Sequence, residues 1–320
     1  MGKPTVVSLF SGIGGIDLAF EQAGFKVVWA NDIDKFACTT YRLNLSPEVL
    51  TEGDIKCIDE KVIPQADVLA AGFPCQSFSV MGYRRGFNDA RGNLFFEIVR
   101  IAKSVQPKII FLENVRNLIN HDNGRTFITI FNNLSELGYY VKYAVQSPHT
   151  HANIPQERNR TFVVAFSDFE MMSKFTFPEE IPLTNDLNGI FDRSVKRHNS
   201  YYYKAGNKYF DLFNKRIPDT TGMYRIDDSG VAMRKYEISP TLKANMGTYH
   251  DRVPVIRDNF GIRKITPFEC LALQGFPAEY TFRDVPIEQA YKQCGNTVCV
   301  PVVKRIANEI YKCFRGNDNE

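Results

Sequence analysis

The sequence predicts an α/β fold in which a doubly wound sheet is followed by a smaller, β-rich domain. Up to about residue 175, apolar runs of strand length alternate with amphipathic stretches of helix length. The first apolar run passes directly into a glycine-rich turn that opens a helix, as in the first unit of a doubly wound sheet. Beyond that point the alternation ends, and turns, short strands and aromatic residues follow.

Composition limits the class of protein. Of the 320 residues, 44% are hydrophobic and 23% are charged, as in ordinary globular proteins. A net charge of +3 permits a polyanionic partner without requiring one. The seven cysteines are scattered and form no CxxC pair, which indicates a reducing compartment and no structural zinc. Because we find no signal-peptide pattern and no apolar run of membrane-spanning length, we expect a cytoplasmic protein with no membrane partner.

The first strands indicate a nucleoside-binding edge. Thr5–Phe10 is predicted as a buried parallel strand, and Ser11-Gly12-Ile13-Gly14-Gly15 opens the next helix. Such glycines let the backbone approach a ligand at a helix N-terminus, although a lone glycine-rich loop is often only a tight turn. The second predicted strand, residues 26–30, runs into Asp32, whose carboxylate can accept hydrogen bonds from ribose hydroxyls. Asp54 ends a short third strand and could reach an adenine amino group; the alternative is a turn residue.

A cysteine follows the fourth predicted strand, residues 67–71. The sequence there is Gly72-Phe73-Pro74-Cys75-Gln76, and the proline sets a turn that presents the sulfur at the carboxyl edge of the sheet. Ligands of open α/β sheets bind at that edge. A thiolate there would be a nucleophile toward an electrophilic carbon, whereas the alternative is a small buried core residue.

A basic, glycine-punctuated loop over residues 81–92 follows the cysteine. It contains Arg84, Arg85 and Arg91, which could hold a phosphate backbone when the loop closes. The alternative is a solvated surface loop. A helix is predicted from Leu94 to Val105.

Charged residues also flank two later strands. The fifth predicted strand, residues 107–112, runs into Glu113, where apolar neighbours would raise the pKa of the carboxyl so that it could share a proton with a ring nitrogen. The alternative role of Glu113 is to cap the helix that follows. Arg158 and Arg160 alternate into a predicted strand at 161–166, so we expect both side chains on one face, where one could donate to a carbonyl oxygen of a base.

Taken in order, these stretches resemble the DNA (cytosine-5)-methyltransferases of bacterial restriction-modification systems. The stretches are Phe10-Ser11-Gly12-Ile13-Gly14-Gly15, Gly72-Phe73-Pro74-Cys75-Gln76, Glu113-Asn114-Val115, Gln156-Glu157-Arg158-Asn159-Arg160, the helical region 263–277 and Gly295-Asn296-Thr297-Val298. Each is modest alone, but their order and spacing together are very specific. The resemblance implies a Rossmann-like, S-adenosylmethionine-dependent methyltransferase domain over 1–185 plus 295–320, a target-recognition domain over 186–267 and a hinge over 268–294.

The resemblance also implies a cofactor and its site. The cofactor is S-adenosylmethionine, the product is S-adenosylhomocysteine, and no metal takes part. Asp32 would bind the ribose and Asp54 the adenine. The full set of cofactor-binding residues is Phe10, Ser11, Gly12, Ile13, Gly14, Gly15, Asp32, Ile33, Asp54, Ile55, Gly72, Pro74, Leu94 and Asn296.

Roles in catalysis and DNA binding follow from the same resemblance. Cys75 would add to C6 of a flipped-out cytosine while Glu113 supports N3 and Arg160 holds the carbonyl oxygen, with Arg158 as a further catalytic candidate. The implied partner is double-stranded DNA, bound by a monomer, with a cognate restriction endonuclease encoded separately. The implied DNA contacts are Ser79, Arg84, Arg85, Arg91 and Thr241.

The chain departs from the family pattern at two places. Many members carry a longer acidic residue at Asp32 and an aromatic residue at Ile33. Where the family often has Asp-Tyr-Gly, this chain has His151-Ala152-Asn153.

Other readings remain open from the residues. A tRNA cytosine-5 methyltransferase shares the architecture, although the large variable region favours a reader of duplex DNA. An amino-group methyltransferase would need no cysteine, and a nicotinamide-dependent dehydrogenase would carry G-x-G-x-x-G after the first strand. A non-catalytic DNA-binding module would explain the arginines but not the alignment of Cys75, Glu113 and the glycine turn.

Overall fold

The computed structural model describes residues 2–73, 94–207, 209–218, 220–226, 233–249 and 252–315. The chain forms two compact units. The first consists of Met1–Gln146, Asn159–Glu179 and Val300–Glu320, and the second of Ser147–Arg158 and Glu180–Cys299. Within the described ranges, no helix is both long and apolar enough to cross a membrane.

The first unit contains a seven-stranded sheet with the order β3-β2-β1-β4-β5-β7-β6. Its strands are β1 Thr5–Leu9, β2 Lys26–Asp32, β3 Leu50–Glu52, β4 Val68–Gly72, β5 Ile109–Val115, β6 Tyr140–Gln146 and β7 Arg160–Phe166. Strands β1 to β5 pair in parallel, whereas β7 is antiparallel to both β5 and β6. The predicted doubly wound α/β fold is confirmed, and the order of the strands reverses between β1 and β4, where ligands bind in such folds.

The structure describes ten α-helices, and the helix predicted from Leu94 to Val105 is confirmed. They are α1 Gly15–Gln22, α2 Lys35–Asn44, α3 Leu94–Val105, α4 Arg125–Glu136, α5 Pro148–His151, α6 Phe169–Lys174, α7 Phe210–Arg216, α8 Pro267–Leu273, α9 Ile287–Asn296 and α10 Val300–Phe314. In the first unit, the apolar face of α3 packs on a core that includes Leu9 and Leu112. The central strands are almost entirely apolar because both faces of the sheet are covered.

The second unit contains a small antiparallel sheet, in line with the predicted β-rich region. Its strands are β8 Met223–Ile226, β9 Met233–Tyr236, β10 Val255–Asp258 and β11 Gly261–Lys264, in the order β11-β10-β8-β9. The sheet buries a small core that includes Phe213, Tyr224 and Ile262. Such a core is thin, so polar contacts contribute more to holding this unit together.

A buried charge cluster joins this small sheet to α8. The side chain of Arg263 is fully buried; its Nε lies 2.7 Å from Asp258 Oδ2 and its Nη2 lies 2.7 Å from Glu269 Oε1. Glu269 also caps the N-terminus of α8, because its carboxylate accepts from Thr266 N while its own N–H donates to Thr266 Oγ1. One carboxylate therefore caps the helix and partners the buried arginine.

We predict that Arg263→Met lowers the free energy of unfolding by about 3–5 kcal/mol, because it leaves buried carboxylates without their main partner. The matched control is Arg42→Met, which removes an exposed pair with Glu52 at 2.7 Å and is expected to cost about 1 kcal/mol or less. Urea unfolding of both variants measures the difference. Equal losses would show that the buried cluster contributes no more than a surface pair.

Candidate active site

The glycine turn after β1 forms a compact loop with an open side. Phe10 and Gly12 both have φ of 56° and Gly14 has φ of 83°, values that suit glycine best. Gly14 N donates to Ser11 O at 2.7 Å, which closes the turn. A Cβ on Gly14 would lie 2.2 Å from Leu45 Cδ1, whereas a Cβ on Gly12 would meet nothing within 4 Å. The turn therefore leaves room for a ligand beside Gly12.

Asp32 at the end of β2 connects to that turn. Its Oδ2 accepts from Gly12 N at 2.7 Å and its Oδ1 from Asp34 N at 2.8 Å. Each carboxylate oxygen has two lone pairs, so capacity for ribose hydroxyls remains. Burial raises the pKa of Asp32, against the lowering effect of these backbone N–H groups. The next residue, Ile33, is an apolar side chain left 65% exposed, a surface suited to an adenine ring.

The other predicted cofactor residues have mixed surroundings. Asp54 caps a short turn by accepting from Lys56 N at 3.0 Å, and a Cβ on the preceding Gly53 would meet nothing within 4 Å. The side chain of Ile55 is buried in the core of the first unit, and Leu94 packs against that core. Open space at Gly12 and Gly53, together with exposed Ile33, fits a nucleoside.

Two further predicted cofactor residues, Gly72 and Asn296, belong to other elements, and a third is not described. Gly72 is the last residue of β4. Asn296 is exposed at the last residue of α9, in the second unit. Pro74 lies outside the described residues.

A buried polar cluster beneath the glycine turn was not predicted from the sequence. The Ser8 hydroxyl donates to Asp17, the Tyr41 hydroxyl donates to Asp17 Oδ2 at 2.8 Å, and Ser11 Oγ lies 3.0 Å from Ser8 Oγ. Burial raises the pKa of Asp17 to about 6, although its hydrogen bonds act in the opposite direction. The available signal was an acidic residue among the apolar residues of α1. The cluster ties Ser11 in the turn to α1 and α2.

A glutamate and an arginine meet at the carboxyl end of β5. Glu113 pairs with Gly72 of β4, and Val115 pairs with Arg160 of antiparallel β7. Because Glu113 and Val115 are two residues apart, Arg160 lies diagonally across from Glu113 on the same face. Arg160 Nε lies 3.0 Å from Glu113 Oε1, with both side chains largely buried. Burial lowers the pKa of Arg160, and the charge and hydrogen bond of Glu113 oppose that shift. Glu113, which was predicted to lie among apolar neighbours, therefore also forms an ion pair.

A hydrogen bond holds the residue after β4 to the carboxyl end of β5. Asn114 Nδ2 donates to Phe73 O at 2.8 Å, and both residues are buried. Phe73 is the last described residue before the segment 74–93. The predicted nucleophile Cys75 and the predicted DNA contacts Ser79, Arg84, Arg85 and Arg91 fall within that segment, outside the described residues, and stay predictions.

Arg158 has different surroundings from those predicted. The expectation that it alternates into the strand with Arg160 is wrong, because β7 begins at Arg160 and Arg158 belongs to the second unit. Its side chain is 2% exposed. Nη1 donates to Leu242 O at 2.9 Å, and Nη2 donates to Gly295 O at 3.0 Å and to Thr297 O at 2.6 Å. These acceptors could not be predicted from the sequence, since backbone carbonyl groups carry no residue-specific signal.

Thr241 lies on the second unit, at a concave surface that Arg225, Lys243 and Arg252 also line. Its hydroxyl donates to Glu157 O at 2.7 Å. Basic side chains separated in the sequence thus share one surface, which is favourable for an anionic ligand.

The departure at His151-Ala152-Asn153 keeps a glycine-like backbone. Asn153 has φ of 53°, in the left-handed region that asparagine tolerates better than most residues. Its Oδ1 also accepts from Thr184 N at 2.7 Å. Among the residues that the structure describes, no group of three His, Cys, Asp or Glu side chains is arranged to hold a metal ion.

Comparisons with known proteins agree with this geometry. A family model described as C-5 cytosine-specific DNA methylase matches residues 4–312. The type II methyltransferase M.Bsp6I of Bacillus sp. (strain RFL6) is 42% identical over 96% of this chain and 98% of its own length. M.HhaI of Haemophilus parahaemolyticus is 35% identical over 95% of this chain and 93% of its own length.

Solved structures show the same fold. The Entamoeba histolytica methyltransferase EhMeth has a TM-score of 0.73 at 19% identity, covering 99% of this chain and all of its own (100%). The S. pombe Dnmt2 methyltransferase has a TM-score of 0.72 at 19% identity, covering 97% of this chain and 99% of its own.

The sheet order and these solved structures define a Rossmann-like methyltransferase fold. The chain belongs to the C-5 cytosine-specific DNA methylase family. It is a DNA cytosine-5 methyltransferase, as the resemblance in the sequence implied.

We predict that Asp17→Asn changes how stability depends on pH. The folded carboxyl keeps its proton up to about pH 6, while the unfolded one loses it near 3.8. Between these values the folded state binds more protons, so wild-type stability falls as pH rises, by about 3 kcal/mol relative to the variant.

Urea unfolding at pH 4 and pH 7 measures that difference. Asp59→Asn, at an exposed carboxyl, controls for the loss of one carboxylate. A variant that follows the wild-type pH dependence would contradict the role of Asp17.

Proposed function

We propose that this chain methylates C5 of one cytosine in a short, specific duplex sequence, as the modification enzyme of a restriction-modification system, through a covalent bond between Cys75 and C6. The observation that carries this proposal is the Glu113–Arg160 pair at the carboxyl end of β5. That pair adjoins the end of β4, from which the chain continues to Cys75 two residues beyond Phe73.

The roles of the two charged residues follow from their chemistry. Arg160 is a donor held by Glu113 and suits the carbonyl oxygen of cytosine. Glu113 has a second carboxylate oxygen with which to contact N3 and the exocyclic amino group of the ring. A cytosine held by both groups would present C6 to an incoming thiolate.

The reaction then balances in three steps. The Cys75 thiolate forms a bond to C6 and the ring electrons shift to N3, which takes up a proton from solvent in a hydrogen bond that the Glu113 carboxylate accepts. C5 takes the methyl group, which the sulfonium of S-adenosylmethionine supplies. A base removes the C5 proton, and the returning electrons expel the thiolate. Because C5 lies within the base stack, the nucleotide must first be flipped out, at a cost of about a few kcal/mol.

The cofactor side is supported by the open turn at Gly12, the carboxylate of Asp32 and the exposed side chain of Ile33. Asp32 would accept from the ribose, and Asp54 from the adenine amino group. The remaining predicted cofactor contacts, including Asn296, are part of this proposal.

The DNA side rests on the second unit and on the basic segment after Cys75. The concave surface lined by Arg225, Lys243 and Arg252, beside Thr241, is suited to phosphate. We assign residues 186–267 to target recognition, 1–185 with 295–320 to catalysis and 268–294 to a hinge. A monomer acting in the cytoplasm, with a separate cognate endonuclease, completes the proposal.

We predict that Cys75→Ser abolishes methyl transfer while binding of S-adenosylmethionine remains, because the serine hydroxyl is a far weaker nucleophile than a thiolate. Cys57→Ser, at an exposed free cysteine, is the control and should methylate normally. Transfer of labelled methyl groups to duplex DNA and to tRNA measures activity and separates the two substrate classes.

Trapping tests the bond itself. Duplexes with a 5-fluorinated target cytosine should become covalently attached to wild type in the presence of the cofactor, and not to Cys75→Ser. Bisulfite sequencing of DNA from a host that expresses the chain identifies the target site. Normal methylation by Cys75→Ser would exclude the mechanism.

For the loop arginines, we predict that the triple change of Arg84, Arg85 and Arg91 to alanine weakens DNA binding and lowers its salt dependence. Each lost phosphate contact reduces the slope of log K against log salt by about 0.9. Titration at several salt concentrations measures the slope. If the slope equals that of wild type, these side chains do not contact phosphate.

A further inference from the structure

The buried guanidinium of Arg158 has contacts that the proposed reaction does not use. Its two terminal nitrogens donate to the carbonyl oxygens of Leu242, Gly295 and Thr297, at 2.9, 3.0 and 2.6 Å. All these residues lie in the second unit. Because a guanidinium is planar, rigid and always charged, three acceptors on its edge are held in fixed relative positions.

Glycines bring the same stretches into direct backbone contact. A Cβ on Gly295 would lie 2.2 Å from Lys243 C and 2.3 Å from Ala244 N. A Cβ on Gly247 would lie 2.2 Å from Glu288 O. The backbone of α9 therefore touches the segment 243–247 at both of its ends, and the two stretches pack directly against each other.

The neighbours of Arg158 strengthen this connection. Gln156 Nε2 donates to Leu273 O at 2.7 Å, and Gln274 Nε2 donates to Cys294 O at 3.0 Å. Glu157 N donates to Ser239 O at 2.8 Å, while Glu157 O accepts from Thr241 Oγ1. Residues 156–158 thus contact the segment that leads into Thr241 and, through Gln274, the end of α9.

The two stretches carry different binding residues. The segment 241–246 forms part of the basic concave surface, with Thr241 and Lys243 among its lining residues. Asn296 is exposed between Gly295 and Thr297, whose carbonyl oxygens both accept from Arg158. A residue proposed for DNA and a residue proposed for the cofactor are therefore fixed by one buried side chain.

We propose that Arg158 is a positioning residue that couples DNA binding to cofactor binding. It holds the segment 241–243 and the Asn296 turn in the one arrangement in which each can bind its ligand. Each ligand favours the arrangement in which all three hydrogen bonds of Arg158 are formed over arrangements in which they open, and so raises the affinity for the other ligand; the coupling is positive and reciprocal. The inference rests on the proposed function and replaces the catalytic role predicted for Arg158.

Arg158→Lys tests the coupling, because lysine keeps the charge but cannot present a rigid fork to three carbonyl groups. The affinity of a labelled duplex carrying the methylated site is measured with and without S-adenosylhomocysteine, and the affinity of S-adenosylhomocysteine is measured with and without that duplex. In wild type we expect both ratios to be equal and about 5-fold or more. In Arg158→Lys we expect both to fall close to one.

Arg193→Lys is the matched control. Arg193 also donates to three backbone carbonyl groups of the second unit, those of Arg257, Thr221 and Gly222, at 2.6, 3.3 and 3.4 Å. None of these acceptors adjoins Asn296 or Thr241 in the sequence. We expect Arg193→Lys to keep the wild-type ratios; equal loss in both lysine variants would reduce the effect to general destabilisation and overturn the proposal.

Hydrogen exchange on the wild-type protein gives an answer even if Arg158→Lys fails to fold. S-adenosylhomocysteine alone, without DNA, should slow amide exchange in residues 242–247. Unchanged exchange there, or wild-type ratios in a folded Arg158→Lys, would overturn the proposal. If the wild-type protein methylates no DNA, it is the proposed function that fails; if it methylates DNA and shows no coupling, only this inference fails.

Discussion

The antiparallel pairing of β7 with β5 is the constraint on which the proposed active site depends. It sets Arg160, the first residue of β7, opposite Val115 at the carboxyl end of β5, within 3.0 Å of Glu113. In a parallel β7 the same arginine would lie opposite the amino end of β5, four residues and about 13 Å from Glu113 at about 3.3 Å per residue. The direction of one strand therefore determines whether the side chains of Arg160 and Glu113 can meet.

Side chains that bind backbone carbonyl groups position the ends of other elements. Asn114 holds Phe73 O and so fixes where the chain leaves β4. Arg158 does the same for three carbonyl groups of the second unit. Such bonds offset part of the cost of burying a charged or polar side chain. Precise placement of ligand contacts and stability of the fold thus depend on the same buried polar groups.

The sequence predicted much of the fold and part of the site. Helix α8 lies within the helical region 263–277 that the sequence indicated, and the glycine turn and Asp32 meet at the predicted edge. Glu113 was expected beside apolar residues, but its partner Arg160 is charged. Arg158 was expected on the same strand as Arg160. The structure puts only Arg160 on that strand, because β7 begins at Arg160 and the predicted alternation included two residues before it.

The sequence by itself determined the order of strands and helices, the turn chemistry and the family, because these depend on local periodicity and on motifs in a fixed order. Only the tertiary structure decided which residues face each other across large separations. Tyr41 reaches Asp17 over 24 positions, and Arg158 reaches Thr297 over 139. Such contacts arise from the direction and packing of whole elements, which neighbouring residues do not encode.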